Sequence, residues 1–324
     1  MIKVGIVGYG NLGKGVSFAL QKASDLECVG VFTRRDVSTV NPVTDLNVYH
    51  ISELEKFKGK IDVLILCGGS ATDLPNNTAN VLKDFCTVDS FDTHAKIPEY
   101  FAKLDEVAKA NKTLCAISIG WDPGVFSIMR SLFGSVLPCG NDYTFWGKGV
   151  SQGHSDAIRR IDGVENAIQY TVPKQEALSA VRSGANPNLT TREKHLRECY
   201  VAVKKGADKE LIEKSIKEMP NYFADYDTIV NFVSAEEVAQ MQKSLPHGGF
   251  VIRSGKTTEN NSHVLELSLK LGSNPEFTGS VLVAYSRAIA RLSKEGITGA
   301  LTVYDIPLKY LSPLSNEQLR EKLL

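Results

Sequence analysis

The sequence predicts an α/β domain built on a parallel sheet, joined to an α+β domain whose sheet is mostly antiparallel. Three observations lead there. Short apolar runs alternate with helical patterns over the first 120 residues, a glycine-rich turn follows the first of these runs, and beyond Trp121 the apolar runs lengthen and partly alternate. With 324 residues the chain is too long for one simple core and fits two domains.

In the first region the strand candidates are Ile2–Val7, Glu27–Phe32, Asp62–Cys67, Cys86–Asp89 and Thr113–Ile119, and the helix candidates are Leu12–Lys22, Pro75–Asp84 and Ile97–Ala110. Strand, helix, strand in that rhythm implies crossover connections, hence parallel strands covered on both faces. The pattern changes after Trp121-Asp122-Pro123-Gly124. Longer strands are expected at Tyr143–Trp146, Ala167–Val172, His195–Val203, Thr228–Val233 and His263–Leu271, with a helix at Ala207–Glu218. Arg182–Thr191, where Gly, Asn and Pro cluster, is expected as a loop. A long amphipathic helix opens near Phe277, carries Val281, Leu282, Tyr285, Ala288, Ile289 and Leu292, and stops at Gly296. This last segment is expected to return to the first domain.

Composition narrows the function classes. Apolar residues make up 43% and charged residues 23%, as in ordinary globular proteins. Lys+Arg and Asp+Glu both total 37, so no global positive field gathers nucleic acid or anionic lipid. The cysteines at positions 28, 67, 86, 115, 139 and 199 form no CxxC pair, and several lie in apolar runs such as Val63–Cys67. They are expected to be reduced core residues rather than disulfides or metal ligands. The strand pattern starts by Ile2, leaving no room for a signal peptide, and no run approaches the ~18 apolar residues of a membrane span. A soluble, cytoplasmic protein that holds no metal is expected.

Gly8-Tyr9-Gly10-Asn11-Leu12-Gly13 follows an apolar strand directly and opens a helix. Gly8 permits the tight turn, Gly10 lets backbone approach a pyrophosphate, and Gly13 allows close packing of helix on strand. The anion then sits at the helix N-terminus, where free N–H groups and the dipole favour it. That is the layout of a Rossmann-type dinucleotide-binding domain, expected over residues 1–120 with 277–324, and it leaves 121–276 as a substrate domain. About twenty residues beyond Gly13, where an NAD enzyme usually presents an acid to the ribose, stand Thr33-Arg34-Arg35. Paired guanidiniums suit a 2′-phosphate, so NADP is the expected cofactor. Cys67-Gly68-Gly69-Ser70 follows the next long strand, its small residues leaving space beneath a cofactor. The ends of the last two strands carry Asp89-Ser90-Phe91-Asp92 and Gly120-Trp121-Asp122-Pro123-Gly124, two acids toward the nicotinamide face. Two carboxylates near one pocket suit a cationic amine, although each Asp by itself equally suits a cap or a turn.

The second region offers Phe145-Trp146-Gly147, Ser151-Gln152-Gly153-His154-Ser155-Asp156, Gln169-Tyr170-Thr171, Arg197, Pro246-His247-Gly248-Gly249 and Ser273-Asn274-Pro275. Pro and Gly around His247 indicate a shaped loop. His154-Ser155-Asp156 is not a hydrolytic triad, because adjacent residues do not ordinarily fold onto one another as nucleophile, base and orienter.

Taken together, the stretches VGYGNLGKGV, FTRRD, CGGSATDLP, CTVDSFDTH, SIGWDPGVFSI, TFWGKGVSQGHSDAIRRI, LPHGGFVI and SNPEFT resemble the meso-diaminopimelate dehydrogenase family from end to end. The segments Trp121–Ile128 and Phe145–Arg160 are far more particular to that family than the glycine fingerprint. Leu245 departs from the family pattern, which has Met before Pro-His-Gly-Gly. The resemblance implies an NADP-dependent oxidoreductase. It would deaminate the D-configured carbon of meso-2,6-diaminopimelate to L-2-amino-6-oxopimelate and ammonium, in the reversible chemistry leading to lysine. It implies that Asp92, Asp122, Trp146, Gln152 and Gly153 surround the reacting end of the substrate. It also implies that Thr171, Arg197, His247 and Asn274 hold the distal L-configured end, and that the chain forms a homodimer through its second domain. The chemistry agrees: a diamino dicarboxylic acid needs both acids and cationic or hydroxyl donors, and Arg197 suits a bidentate carboxylate. Asp92 and Asp122 are the two carboxylates available to take protons, directly or through water. Two other readings share this layout. One is an NADP-dependent reductase of the dihydrodipicolinate reductase or homoserine dehydrogenase type, whose lysine-containing signatures are absent here. The other is a non-catalytic NADP-binding regulator, against which the intact Asp92, Asp122, Arg197 and His247 stand.

Overall fold

The computed structural model describes residues 1–324 and divides into two compact units: Met1–Ile128 with Pro275–Leu324, and Met129–Asn274. Trp121–Ile128 therefore belongs to the first unit.

The first unit holds one parallel sheet formed by β1 (Ile2–Val7), β2 (Leu26–Thr33), β3 (Val48–His50), β4 (Val63–Leu66), β5 (Cys86–Asp89), β6 (Leu114–Ala116) and, from the other end of the chain, a strand at Gly299–Leu301. The last strand lies at the edge next to β6, and the order across the sheet runs from it through β6, β5, β4, β1 and β2 to β3. Chain order reverses between β1 and β4, which makes the carboxyl ends of those two strands the switch point where α/β sheets bind ligands. Successive side chains alternate between two cores, as the period of two demands. Val4, Ile6, Val63 and Ile65 enter one core with Val16 of the helix Asn11–Leu20 and with Leu282 and Ile289 of the helix Asn274–Lys294. Leu64 and Leu66 enter the other with Leu104 and Ala108 of the helix Ile97–Asn111. The long C-terminal helix crosses Asn11–Leu20 closely: a Cβ on Gly279 would stand 2.6 Å from the backbone of Gly15 and Val16.

The second unit contains two sheets. An antiparallel three-stranded sheet pairs β7 (Gly140–Trp146) with a long strand at His247–Thr258, which pairs in turn with Asn261–Leu271. The other sheet contains β8 (Gly149–Val150), β9 (Val164–Pro173), β10 (His195–Val203) and β11 (Asp227–Phe232) in that spatial order. Its β10–β11 pair is parallel and the others antiparallel. In chain order the strands from His247, Asn261 and Gly299 are β12, β13 and β14. Ala167, Cys199 and Val201 pack beneath the helices Gln152–Arg159 and Lys209–Lys217, whereas Ile168 and Ala202 face Val238 of Ala235–Met241 on the other side.

Several expectations need correction. His247 opens β12 rather than sitting in a loop, because Gly248 and Gly249 lie in a strand flanked by β13 and β7. The expected loop at Arg182–Thr191 is shorter, since Arg182 ends one helix and Thr191 begins another. All six cysteines are free, and Cys115 and Cys199 are buried, but Cys139 is exposed rather than part of a core.

Candidate active site

Gly8 leaves β1 at φ +90°, in the left-handed region that glycine accepts freely, and a Cβ there would contact Cys67 across the switch point. Gly10 caps the helix Asn11–Leu20 without any side-chain hydrogen bond, and open space surrounds its Cβ position. Asn11 and Leu12 form the first turn, and a Cβ on Gly13 would strike the Gly8 carbonyl. The first-turn N–H groups thus have no capping side chain, which fits a dinucleotide pyrophosphate. Tyr9 is buried. Its hydroxyl lies 3.0 Å from Ser17 Oγ and accepts from the Val43 N–H at 3.0 Å.

Thr33 ends β2, and its Oγ1 accepts from the Arg35 N–H. The two arginines differ in their contacts. Arg35 donates to the Tyr9 carbonyl at 2.8 Å, whereas Arg34 pairs with Asp73 at 2.5 Å. Asp73 also accepts from Gly69 N–H at 3.1 Å, and that bond together with Arg34 holds its carboxyl below the usual carboxylate range. Beside this pair lies a cavity of about 160 Å³ lined by Val7, Phe32, Ile51, Leu66, Leu74 and Asn77, among others, with Arg34 at its wall. An apolar slot with a guanidinium beside it and an uncapped helix end nearby fits an adenosine bearing a 2′-phosphate. The sequence contained Asp73 and Ile51 but offered no spacing that tied them to Arg34.

Gly68, Gly69 and Ser70 follow Cys67 at the end of β4, and Ser70 Oγ accepts from the Asp92 N–H at 3.1 Å. Asp92 is therefore tied through its backbone to the glycine loop. The acid buried at this end is Asp89: Oδ1 accepts from Phe91 N–H at 3.0 Å and Ser118 N–H at 3.3 Å, and Oδ2 accepts from Tyr100 at 2.8 Å. Burial pushes its carboxyl up to about 6, the three hydrogen bonds opposing the shift. Its own carbonyl accepts from Ile119 N–H. This one residue ties the Ser90–Asp92 exit to the segment leading into Gly120-Trp121-Asp122-Pro123. There Trp121 is buried, with its ring edge-on to Phe126 at 5.2 Å.

Within the second unit, strand register does the assembling. Thr171 on β9 stands opposite Arg197 on β10, so their side chains share a face, and Thr171 Oγ1 accepts from the guanidinium. Arg197 is 7% exposed, and its Nε is buried with no acceptor. Its guanidinium lies 3.8 Å from the centre of the Tyr226 ring. No carboxylate reaches it: the ion pairs of this unit involve other cations. Burial lowers its pKa from the usual arginine value. Two residues earlier, His195 accepts from Trp146 N–H at 2.9 Å and stacks on the Trp146 ring at 5.4 Å. Burial, with Arg197 adding to it, pushes His195 to about 3 and His154 to about 4, so both rings stay neutral at pH 7. His247 lies against Gly149, the register partner of Thr171, since a Cβ on Gly149 would overlap its imidazole. Gln152 and Gly153 open the helix capped by Ser151, both exposed, and Asn274 donates its N–H to the Leu245 carbonyl. Register thus brings together Thr171, Arg197 and His247, with Trp146 held by His195. Tyr226 and His195, which complete this cluster, lay outside every motif of the sequence.

Relatives of this chain match it over its whole length. The family model of the diaminopimelic acid dehydrogenase C-terminal domain matches residues 120–273. The meso-diaminopimelate D-dehydrogenase of Ureibacillus thermosphaericus is 57% identical over 323 residues, covering 100% of this chain and 99% of its own. Among solved structures, a six-residue variant of meso-diaminopimelate dehydrogenase from Clostridium tetani E88, with DAP, superposes with a TM-score of 0.95 at 53% identity, covering 100% of both chains. An engineered D-amino acid dehydrogenase bound to NADP+ reaches a TM-score of 0.88 at 40% identity, covering 100% of this chain and 99% of its own. With both units matched from end to end at more than half identity, the chain belongs to the meso-diaminopimelate D-dehydrogenase family of amino-acid dehydrogenases.

Proposed function

We propose that this chain catalyses the reversible, NADP-dependent oxidative deamination of meso-2,6-diaminopimelate at its D-centre, giving L-2-amino-6-oxopimelate and ammonium. The single observation that carries this reading is Arg197, a buried guanidinium with one hydroxyl and one ring for partners and no acid. Burying a charge without a counter-ion is costly, so such a site is built for an anion that arrives with the ligand. A carboxylate at the non-reacting end of the substrate is that anion. Thr171 and His247 complete the grip.

The identity of the residues agrees. The six residue types replaced in the Clostridium tetani variant are Gln, Thr, Arg, Pro, His and Asn, and they recur here with the same spacing as Gln152, Thr171, Arg197, Pro246, His247 and Asn274. A bound NADP+ supplies the acceptor for the hydride of the D-carbon. The uncapped turn at Gly10–Gly13 and the Arg34–Arg35 pair hold its phosphates, with Thr33, Cys67–Ser70, Ser90, Phe91 and Gly120–Pro123 along its length. Asp92 and Asp122 receive the reacting ammonium and take up protons as water replaces nitrogen at that carbon. Anchoring the distal end fixes which hydrogen is presented for transfer, so positioning sets the stereochemistry. The first unit serves as the dinucleotide-binding domain and the second as the substrate and dimerisation domain of a cytoplasmic homodimer.

The test is absorbance at 340 nm with NADP+ and, in turn, meso-, LL- and DD-diaminopimelate. The meso isomer should give the highest kcat/KM and the LL isomer no NADPH. Absence of NADPH from the meso isomer removes the assignment.

A further inference from the structure

We propose that Tyr226 is a positioning residue for Arg197 and, through it, sets the preference for substrates carrying a second carboxylate. This rests on the reading of Arg197 as the distal carboxylate ligand. Arg197 donates to Thr171 Oγ1 from one terminal nitrogen, and its Nε meets no acceptor. That bond by itself leaves the guanidinium plane free to tilt. The Tyr226 ring, with the guanidinium carbon over it at 3.8 Å from its centre, supplies the second constraint.

The ring is itself held firmly. Tyr226 donates its N–H to the carbonyl of Phe223, whose side chain is fully buried. The next residue, Asp227, pairs with Lys174 at 2.6 Å and Arg192 at 2.9 Å, while Arg192 also donates to the Ala224 carbonyl. Asp227 begins β11 opposite Leu196, and Thr228 follows opposite Arg197 itself. The ring therefore comes from the residue just before β11, two positions ahead of Thr228, the register partner of Arg197.

The choice of an aromatic partner has a chemical reason. A buried cation needs a stabilising neighbour. An aspartate or glutamate there would occupy the N–H donors and compete with the incoming carboxylate. A ring face stabilises the charge while leaving those donors free for the ligand.

The experiment compares Tyr226→Leu, Tyr226→Phe and Arg197→Ala on the full enzyme. Tyr226→Leu should raise the KM for meso-diaminopimelate at least tenfold and lower the ratio of its kcat/KM to that of D-alanine by a similar factor. D-alanine has no distal carboxylate to lose. Tyr226→Phe keeps the ring and should stay within threefold of wild type in both quantities. The NADP+ dissociation constant, read by fluorescence, should stay within twofold in all three and reports folding. Should the leucine variant fail to fold, Tyr226→Met takes its place, and the KM decides by itself if D-alanine turnover is too slow to measure. An unchanged KM in the leucine variant, or an equal loss in the phenylalanine variant, overturns the proposal. If Arg197→Ala shifts the ratio about a hundredfold while Tyr226→Leu does not, only Tyr226 is dismissed. If Arg197→Ala leaves the ratio unmoved, the carboxylate reading fails first.

Discussion

Arg34 and Arg35 stand where an acid would select NAD, and that much was legible in the sequence. Their unequal environments were not, because the partner Asp73 lies 39 residues further on. Arg34 is largely exposed and already paired with Asp73, so its loss alone should cost little. Replacing both by alanine should shift the ratio of NADP to NAD kcat/KM toward NAD by about tenfold to hundredfold, equivalent to ~1.4–2.7 kcal/mol. An unchanged ratio in the double variant argues against a 2′-phosphate at this end. Asp89 was visible in the sequence only as a member of the Asp89–Asp92 stretch, because nothing in a single chain tells a buried carboxylate from a capping one. Its folded pKa, raised from 3.8 to about 6 by burial, means that the folded state favours the protonated acid. The contribution of this group to stability is therefore full below about pH 4 and is lost as pH rises through 6, an amount of order 3 kcal/mol. Asp89→Asn mimics the neutral acid: its carbonyl oxygen can keep the Phe91 and Ser118 N–H bonds, and its amide can donate to Tyr100. Urea unfolding should find the variant gaining on wild type between pH 4 and 6 and holding that gain to pH 7. A difference that is flat across this range contradicts the assignment.

At the scale of elements, long strands with a clear period were readable and short or glycine-rich ones were not. Ile2–Val7 and His195–Val203 fall where the residue pattern put them. The strands Val48–His50 and Gly299–Leu301 have three residues each, too few for a period to register. The strand that opens at His247 was masked by Gly248 and Gly249, which read as loop residues. A Cβ at either would strike a carbonyl of a neighbouring strand, so glycine is there to let three strands pack closely. The same logic applies where the helix Asn274–Lys294 crosses Asn11–Leu20. Gly279→Ala would push a methyl group onto the backbone of Gly15 and Val16, with no flexible side chain to yield. Chemical denaturation should show a loss of about 1–3 kcal/mol, the usual range for overpacking. A change under ~0.5 kcal/mol would mean that the two helices separate at little cost.

At the scale of the whole molecule, the family was legible because its particular stretches are spread from Val7 to Thr278, whereas the carboxylate clamp depends on register that no local pattern reveals. Thr171 and Arg197 are 26 residues apart and meet only because β9 and β10 pair in one particular alignment. A homodimer is expected of the full protein, and light scattering at micromolar concentration should return about twice the 35.4 kDa chain mass. A monomer across the concentration range contradicts it. The central claim is that hydride leaves the D-carbon while the L-centre is only held. Meso-diaminopimelate deuterated at one α-carbon or the other, followed by mass spectrometry of the reduced cofactor, addresses it directly. Deuterium should appear in NADPH from the substrate labelled at the D-centre alone, while the substrate labelled at the L-centre yields unlabelled NADPH and a product that keeps its deuterium. Transfer from the labelled L-centre, or no label in the cofactor from either, would contradict the claim.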